Sequence, residues 1–143
     1  MLNPIQVTGT ATRIISLFGI CAGLLMATPS MTAARDFSKV EIKATKLTAG
    51  VHMLSGAGGN IGVSSGADGI FMIDDQFAPL TDKILAAIKK INSAPVKFVL
   101  NNHWHFDHTG GNENMGKKGT VIVAHDNVRK LMSADQMIST FNK

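Results

Sequence analysis

The chain has 143 residues with a net charge of +4, 45% hydrophobic residues and a single cysteine, Cys21. That length allows one ordinary domain, and that apolar content is normal for a packed core rather than a disordered tail. The basic residues are scattered, with no like-charge run longer than Lys89-Lys90 or Lys117-Lys118. A nucleic-acid interface would need a basic stripe, so none is expected.

Residues 1–34 hold one charge, Arg13, then an apolar core from Ile14 to Met26, then small residues ending in Ala33-Ala34. This is the layout of a secretory signal peptide, with cleavage expected after Ala34. The apolar core is short of the ~20 residues that a membrane span needs, so no stable anchor is expected, an uncleaved anchor being the alternative. Export would place the protein in the periplasm or outside the cell. Residues 35–143 then form the working domain, which keeps no cysteine because Cys21 leaves with the leader.

From Phe37 to Lys46, Val40, Ile42 and Ala44 alternate with Glu41, Lys43 and Thr45, which predicts an edge or half-buried strand. A turn at Ala49-Gly50 leads to a strand at 51–54, where His52 is expected to be exposed. A loop with Gly56, Gly58 and Gly59 precedes a strand at 60–65, and the Asp68-Gly69 turn joins it to the apolar strand 70–73. No Gly-Lys-Ser/Thr follows these glycines, so they lack the parts of a phosphate loop. Pro79 is expected to open a helix, since its fixed φ suits a first turn. Leu80, Ile84, Ile88 and Ile91 give that helix one apolar face, and Ser93-Ala94-Pro95 stops it. Strand 96–100 follows, and strand, helix, strand suggests a parallel βαβ unit with a site beyond the carboxyl end of the strand. A helical turn at 112–115, a strand at 120–124 and a helix from His125 complete the predicted elements. His125 is expected to be structural or on the surface.

The chemistry concentrates in His103-Trp104-His105-Phe106-Asp107-His108, which holds three of the five histidines and an acid within six residues. It is expected on a loop at the end of strand 96–100. In extended backbone, residues two apart share a face, so His103 and His105 can grip one ion. Asp107 continues the alternation, and His108 is expected to point elsewhere. Nitrogen and oxygen donors of this kind suit zinc first, with iron or manganese as alternatives.

These residues resemble the signature of the metallo-β-lactamase superfamily, His-x-His-x-Asp-His, set after a strand and before Gly110-Gly111. The likeness runs from about Lys46 to Leu131. It implies an α/β fold (α+β by some schemes): the N-terminal half of an αβ/βα sandwich of two sheets with helices outside. By resemblance, His103 and His105 would bind a first zinc, and Asp107 and His108 a second. Asp107 would also serve catalysis by orienting water or taking its proton. Asp74, at a strand end, would brace the metal loop, although a turn-capping Asp is the simpler account of that residue alone. The family's further ligands lie well downstream, and Lys143 stands only 35 residues beyond His108. The domain is therefore expected to be incomplete, with a complementing C-terminal half as a partner. The implied activity is hydrolysis of a small-molecule lactam, lactone, thioester, phosphoester or sulfur ester. A non-catalytic remnant and a periplasmic metal-binding protein are the alternatives.

Overall fold

The computed structural model describes residues 35–134, which include ten regular elements and one 3₁₀ turn. The leader expected at 1–34 and the end of the chain from 135 lie outside the described residues. In chain order come strands β1 (Lys43–Thr48), β2 (Val51–Ser55), β3 (Ile61–Gly66) and β4 (Gly69–Ile73), then helix α1 (Thr81–Ile91) and strand β5 (Val96–Asn101). Two short helices follow, α2 (Phe106–Thr109) and α3 (Asn112–Lys117), then strand β6 (Val121–Ala124) and helix α4 (Asp126–Met132).

All six strands form one sheet in sequence order. The first four pair antiparallel, because two-residue turns at Ala49-Gly50 and Ala67-Asp68 join neighbours directly. From β4 onward the pairing is parallel, because α1 carries the chain back before β5 begins. The expected βαβ unit is therefore β4–α1–β5, and the metal motif leaves from the carboxyl end of β5.

Register decides which side chains meet. Val63, Met72, Val99 and Ile122 face each other across four strands. With Leu54, Ile61 and Ile70 they form the sheet side of the core, against Leu80, Ile84 and Ile88. The opposite face aligns Phe71 with Phe98 and Val121, and Ile73 with Leu100 and Val123. No element among the described residues covers that face: Phe71, Ile73, Phe98 and Val123 are 37–41% exposed and Val121 is 52% exposed.

Three local expectations need correction. The first strand starts at Lys43, not Phe37; it is an edge strand, one of the two expected forms, and every residue of it is exposed. Residues 37–40 spend their carbonyls elsewhere: the Lys83 ammonium donates to Phe37, Ser38 and Val40 at 3.0, 2.7 and 2.8 Å. A backbone held by one lysine in this way is not available to a strand ladder. Pro79 stands in a 3₁₀ turn, Ala78–Leu80, and α1 starts only at Thr81. The metal motif is not all loop either, since Phe106–Thr109 closes into a helical turn. Of the described helices, none is long and apolar enough to cross a membrane.

Candidate metal centre

β5 ends at Asn101, and the chain turns outward through Asn102 and His103. His105 has extended backbone, φ −65 and ψ 147, and its carbonyl accepts the His108 and Thr109 amides at 2.9 and 3.1 Å. The Thr109 hydroxyl donates to the same carbonyl at 3.1 Å. These bonds close α2 immediately after the two alternating histidines.

The helical turn changes where His108 goes. Instead of pointing elsewhere, its ring lies on the His103 ring with centres 4.4 Å apart, while His105 meets His103 edge-on at 4.3 Å. Three imidazoles thus gather at one point, centred on His103. Asp107 Oδ2 lies 3.6 Å from His108 Nε2, which adds a carboxylate at the edge of the cluster.

Asp74 comes to the cluster from the end of β4. Its Oδ2 accepts from His108 Nδ1 at 2.8 Å, and its Oδ1 accepts from the Asn102 amide at 2.9 Å. An ionised carboxylate can only accept, so His108 carries its proton on Nδ1 and leaves the Nε2 lone pair free. Asp74 is 1% exposed and has a left-handed backbone, φ 62, rare for a residue with a side chain.

Below the histidines lies a polar layer that the sequence did not reveal. Asp75 is fully buried, its Oδ1 accepting from the Gly111 amide at 3.0 Å. Burial first, and then the charge of Asp74, push the Asp75 carboxyl up to about 7, against the lowering effect of the Gly111 bond. Asn101 Nδ2 donates to the His108 carbonyl at 3.4 Å, and its Oδ1 accepts from Asn112 Nδ2 at 2.8 Å. Gln76 is fully buried as well. Asp74-Asp75-Gln76 is an acidic and polar run straight after an apolar strand, the one cue that could have flagged all three.

Charge favours neutral imidazole at the centre. Burial, then His108 and His105, hold His103 below the ordinary histidine value, while Asp74 and Asp107 oppose them. His103 Nε2 is buried and has no hydrogen-bond partner. A neutral imidazole with an enclosed, unpartnered nitrogen is what a metal ligand looks like without its ion. Among the described residues, no three His, Cys, Asp or Glu side chains yet converge on a common ion position. The imidazole and carboxylate donors gathered here are nonetheless of the types that zinc, iron or manganese take. The donor set therefore fits a metal.

The other two histidines stand apart. His52 is half-buried, not exposed as expected, because it pairs with Val63 on the core side of the sheet, where its Nδ1 is enclosed. His125 Nδ1 accepts from the Asn127 amide at 3.1 Å and so caps α4. A depression between β6 and α4 is lined by Asn101, Ile122, Ala124, Val128 and Met132, and none of the histidines borders it.

The described residues thus form a mixed α/β layer with a histidine-rich turn at the carboxyl end of a parallel strand. Residues 62–139, more than half of the chain, match the family profile of the metallo-beta-lactamase superfamily, and the protein belongs to that superfamily. Its fold is similar to the metallo-β-lactamase FIM-1 from Pseudomonas aeruginosa, solved in a mono-zinc form, with TM-score 0.60 and 21% identity over 66% of this chain and 46% of that one. A metallo-β-lactamase from Hirschia baltica gives TM-score 0.59 and 21% identity over 65% and 47%. BJP-1, a subclass B3 enzyme of Bradyrhizobium japonicum, gives 0.57 and 26% over 64% and 36%. No curated protein matches the chain. The aligned part thus spans less than half the length of each of these solved structures.

Proposed function

We propose that the protein is an exported zinc-dependent hydrolase acting on a lactam, lactone or related ester-type bond of a small molecule. The observation that carries this reading is the histidine cluster, with His103 Nε2 enclosed and unpartnered and His108 fixed in one tautomer by Asp74. His103 and His105 would hold a first ion, Asp107 and His108 a second. Iron or manganese could take the same donors. Zinc supplies Lewis acidity and makes water acidic enough to attack at neutral pH.

The chain's own residues do the rest. Asp74 keeps the His108 Nδ1 proton in place, which leaves Nε2 as the ring's ligand atom. The lowered basicity of His103 keeps its ring unprotonated at neutral pH. Asp107, half-buried beside His108, would orient the attacking water and accept its proton. The working hydrolase also includes the second half of the fold, which would bring further ligands, a substrate wall and a cover for the bare sheet face. The length of the matched lactamases supports that addition.

The test is to load the full chain with zinc, measure bound metal after dialysis, and assay lactam, lactone, thioester and phosphoester substrates. Zinc retained by the wild type but not by His103→Ala is expected, with turnover near background for this chain alone. A wild type that retains no more zinc than His103→Ala overturns the metal reading. Robust turnover that vanishes in His103→Ala shows that this half suffices.

A further inference from the structure

The metal reading uses the histidine turn and Asp74 but gives no task to Gln76 or to the glycines before β3. Gln76 is a fully buried polar residue with a left-handed backbone, φ 56, a conformation that costs free energy for any residue with a side chain. Its partners show what holds it there. Its Nε2 donates to the Gly59 carbonyl. Its Oε1 backs the same loop, so close that a Cβ on Gly56 would come within 3.0 Å. Its main-chain carbonyl accepts from the Gly111 amide at 3.1 Å, just past the metal motif. One residue thereby ties the β2–β3 loop to the histidine turn.

The loop in turn lies flush on two of the four candidate ligands. A Cβ on Gly59 would stand 2.4 Å from His108 Cε1 and 2.7 Å from its Nε2. A Cβ on Gly58, whose φ is +88, would stand 2.8 Å from the Phe77 ring and 2.9 Å from Asp107 Cβ. Such separations are closer than carbon atoms tolerate, so the fit exists only because both residues lack side chains.

We propose that Gln76 and the Gly58-Gly59 turn form a positioning clamp for Asp107 and His108. Gln76 fixes the Gly59 carbonyl, and bare glycine backbone then presses against the imidazole that Asp74 holds at Nδ1. Asp74 sets the tautomer of His108, and the glycine wall sets the tilt of its ring. An imidazole tied at one nitrogen alone keeps a broad range of χ2 angles, so the second contact is what makes its direction unique. Gln76 and the glycines are positioning residues and touch no reacting atom. The clamp rests on the metal reading for the ligand role of Asp107 and His108, but its geometry exists without any ion.

The experiment compares the full-length wild type with Gly59→Ala, Gln76→Glu and Ile84→Val. Gln76→Glu keeps the size of the side chain but sets a carboxylate oxygen against the Gly59 carbonyl. Ile84→Val destabilises the core away from the loop. In the metal-free proteins the histidine ring resonances are followed by NMR, and cobalt(II) is then titrated against a competing chelator while its visible absorption is recorded. A cross-peak between Gly59 Hα and His108 Hε1 is expected in the wild type. Shifted His108 resonances, an altered cobalt spectrum and about tenfold or greater loss of cobalt affinity are expected in both loop variants. Ile84→Val should lower the unfolding midpoint and change neither signal. If one loop variant fails to fold, the other decides; absence of the wild-type cross-peak, or unchanged His108 resonances and cobalt affinity in a folded loop variant, overturns the proposal. A wild type that takes up no cobalt defeats the metal reading, and the His108 resonances and the cross-peak still judge the clamp.

Discussion

Asp74 and Asp75 are neighbours with opposite duties. Asp74 spends both oxygens on donors from the metal turn, so its charge is compensated. Replacing it with Ala should weaken zinc binding about 10–100-fold, measured by chelator competition, because His108 loses the partner that orients it. Asp75 is different: its Oδ2 is buried without a partner. The unfolded chain releases this proton near the ordinary value of 3.8, and the folded chain holds it to about 7. Between those values the folded state binds the extra proton, so its stabilising effect is full below 3.8 and is lost as pH rises through about 7. The total effect is at most roughly 4 kcal/mol. His103 acts the other way, since a histidine held below its ordinary value favours the folded state more as pH rises. The informative quantity is therefore a difference between proteins. Urea unfolding at pH 5 and pH 8 should show Asp75→Asn gaining on the wild type at the higher pH. An equal gap at both pH values would mean that Asp75 ionises normally in the fold.

At the scale of elements, the segment ahead of β1 is held by side chains rather than by a ladder, with Phe37, Val40 and Ile42 packed against the core. It makes no strand ladder, and Lys83 on α1 holds three of its carbonyls. Phe37 rests on Phe77 with ring centres 4.9 Å apart, and Phe77 meets Phe106 of the metal motif at 5.6 Å. Arg35 lies over the outer side of Phe77, 5.2 Å from its ring centre. The strap thus leans on the histidine turn through one aromatic ring. Lys83→Met removes three charge-assisted bonds and leaves the stem of the side chain to pack. A loss of about 1–3 kcal/mol is expected, local to the strap. Limited trypsin digestion should then cut after Lys39 faster than in the wild type, while amides of β3 and β4 keep their exchange protection. Uniform loss of protection would show that the strap is part of the global core.

At the scale of the whole molecule, the decisive feature is that a single sheet carries two apolar faces and, among the described residues, only one of them is covered. The helix side is fully packed, with Leu54, Ile61, Met72, Leu80, Ile84 and Val99 at zero exposure. The bare side presents Phe71, Ile73, Phe98, Val121 and Val123 in register. A contiguous patch of this kind promotes association. The chain alone should therefore self-associate at micromolar concentration, read by sedimentation velocity. Phe98→Glu with Val121→Lys should raise the monomer fraction, since the pair breaks the apolar stripe and sets opposite charges across β5 and β6. A wild type that stays monomeric at high concentration would contradict this.

Periodicity was enough to locate nearly every element. The alternation in 60–65, the apolar run 70–73 and the apolar stripe of α1 are local patterns, and local sterics and burial enforce them wherever the chain goes. The donor cluster was legible for the same reason, since four ligand-type residues lie within six positions. Tertiary structure alone decided the rest. Alternation suggested a strand from Phe37, but an ammonium 46 residues away from Phe37 along the chain claims those carbonyls. His108 was expected to diverge, yet α2 and Asp74, 34 residues earlier, turn it onto His103. His52 sits on the packed side because its pairing with Val63 sets the face it takes. Gln76 looks like an ordinary turn residue until the Gly59 carbonyl meets it. Each of these depends on a partner distant in sequence, and no pattern within a short window encodes which distant partner will arrive.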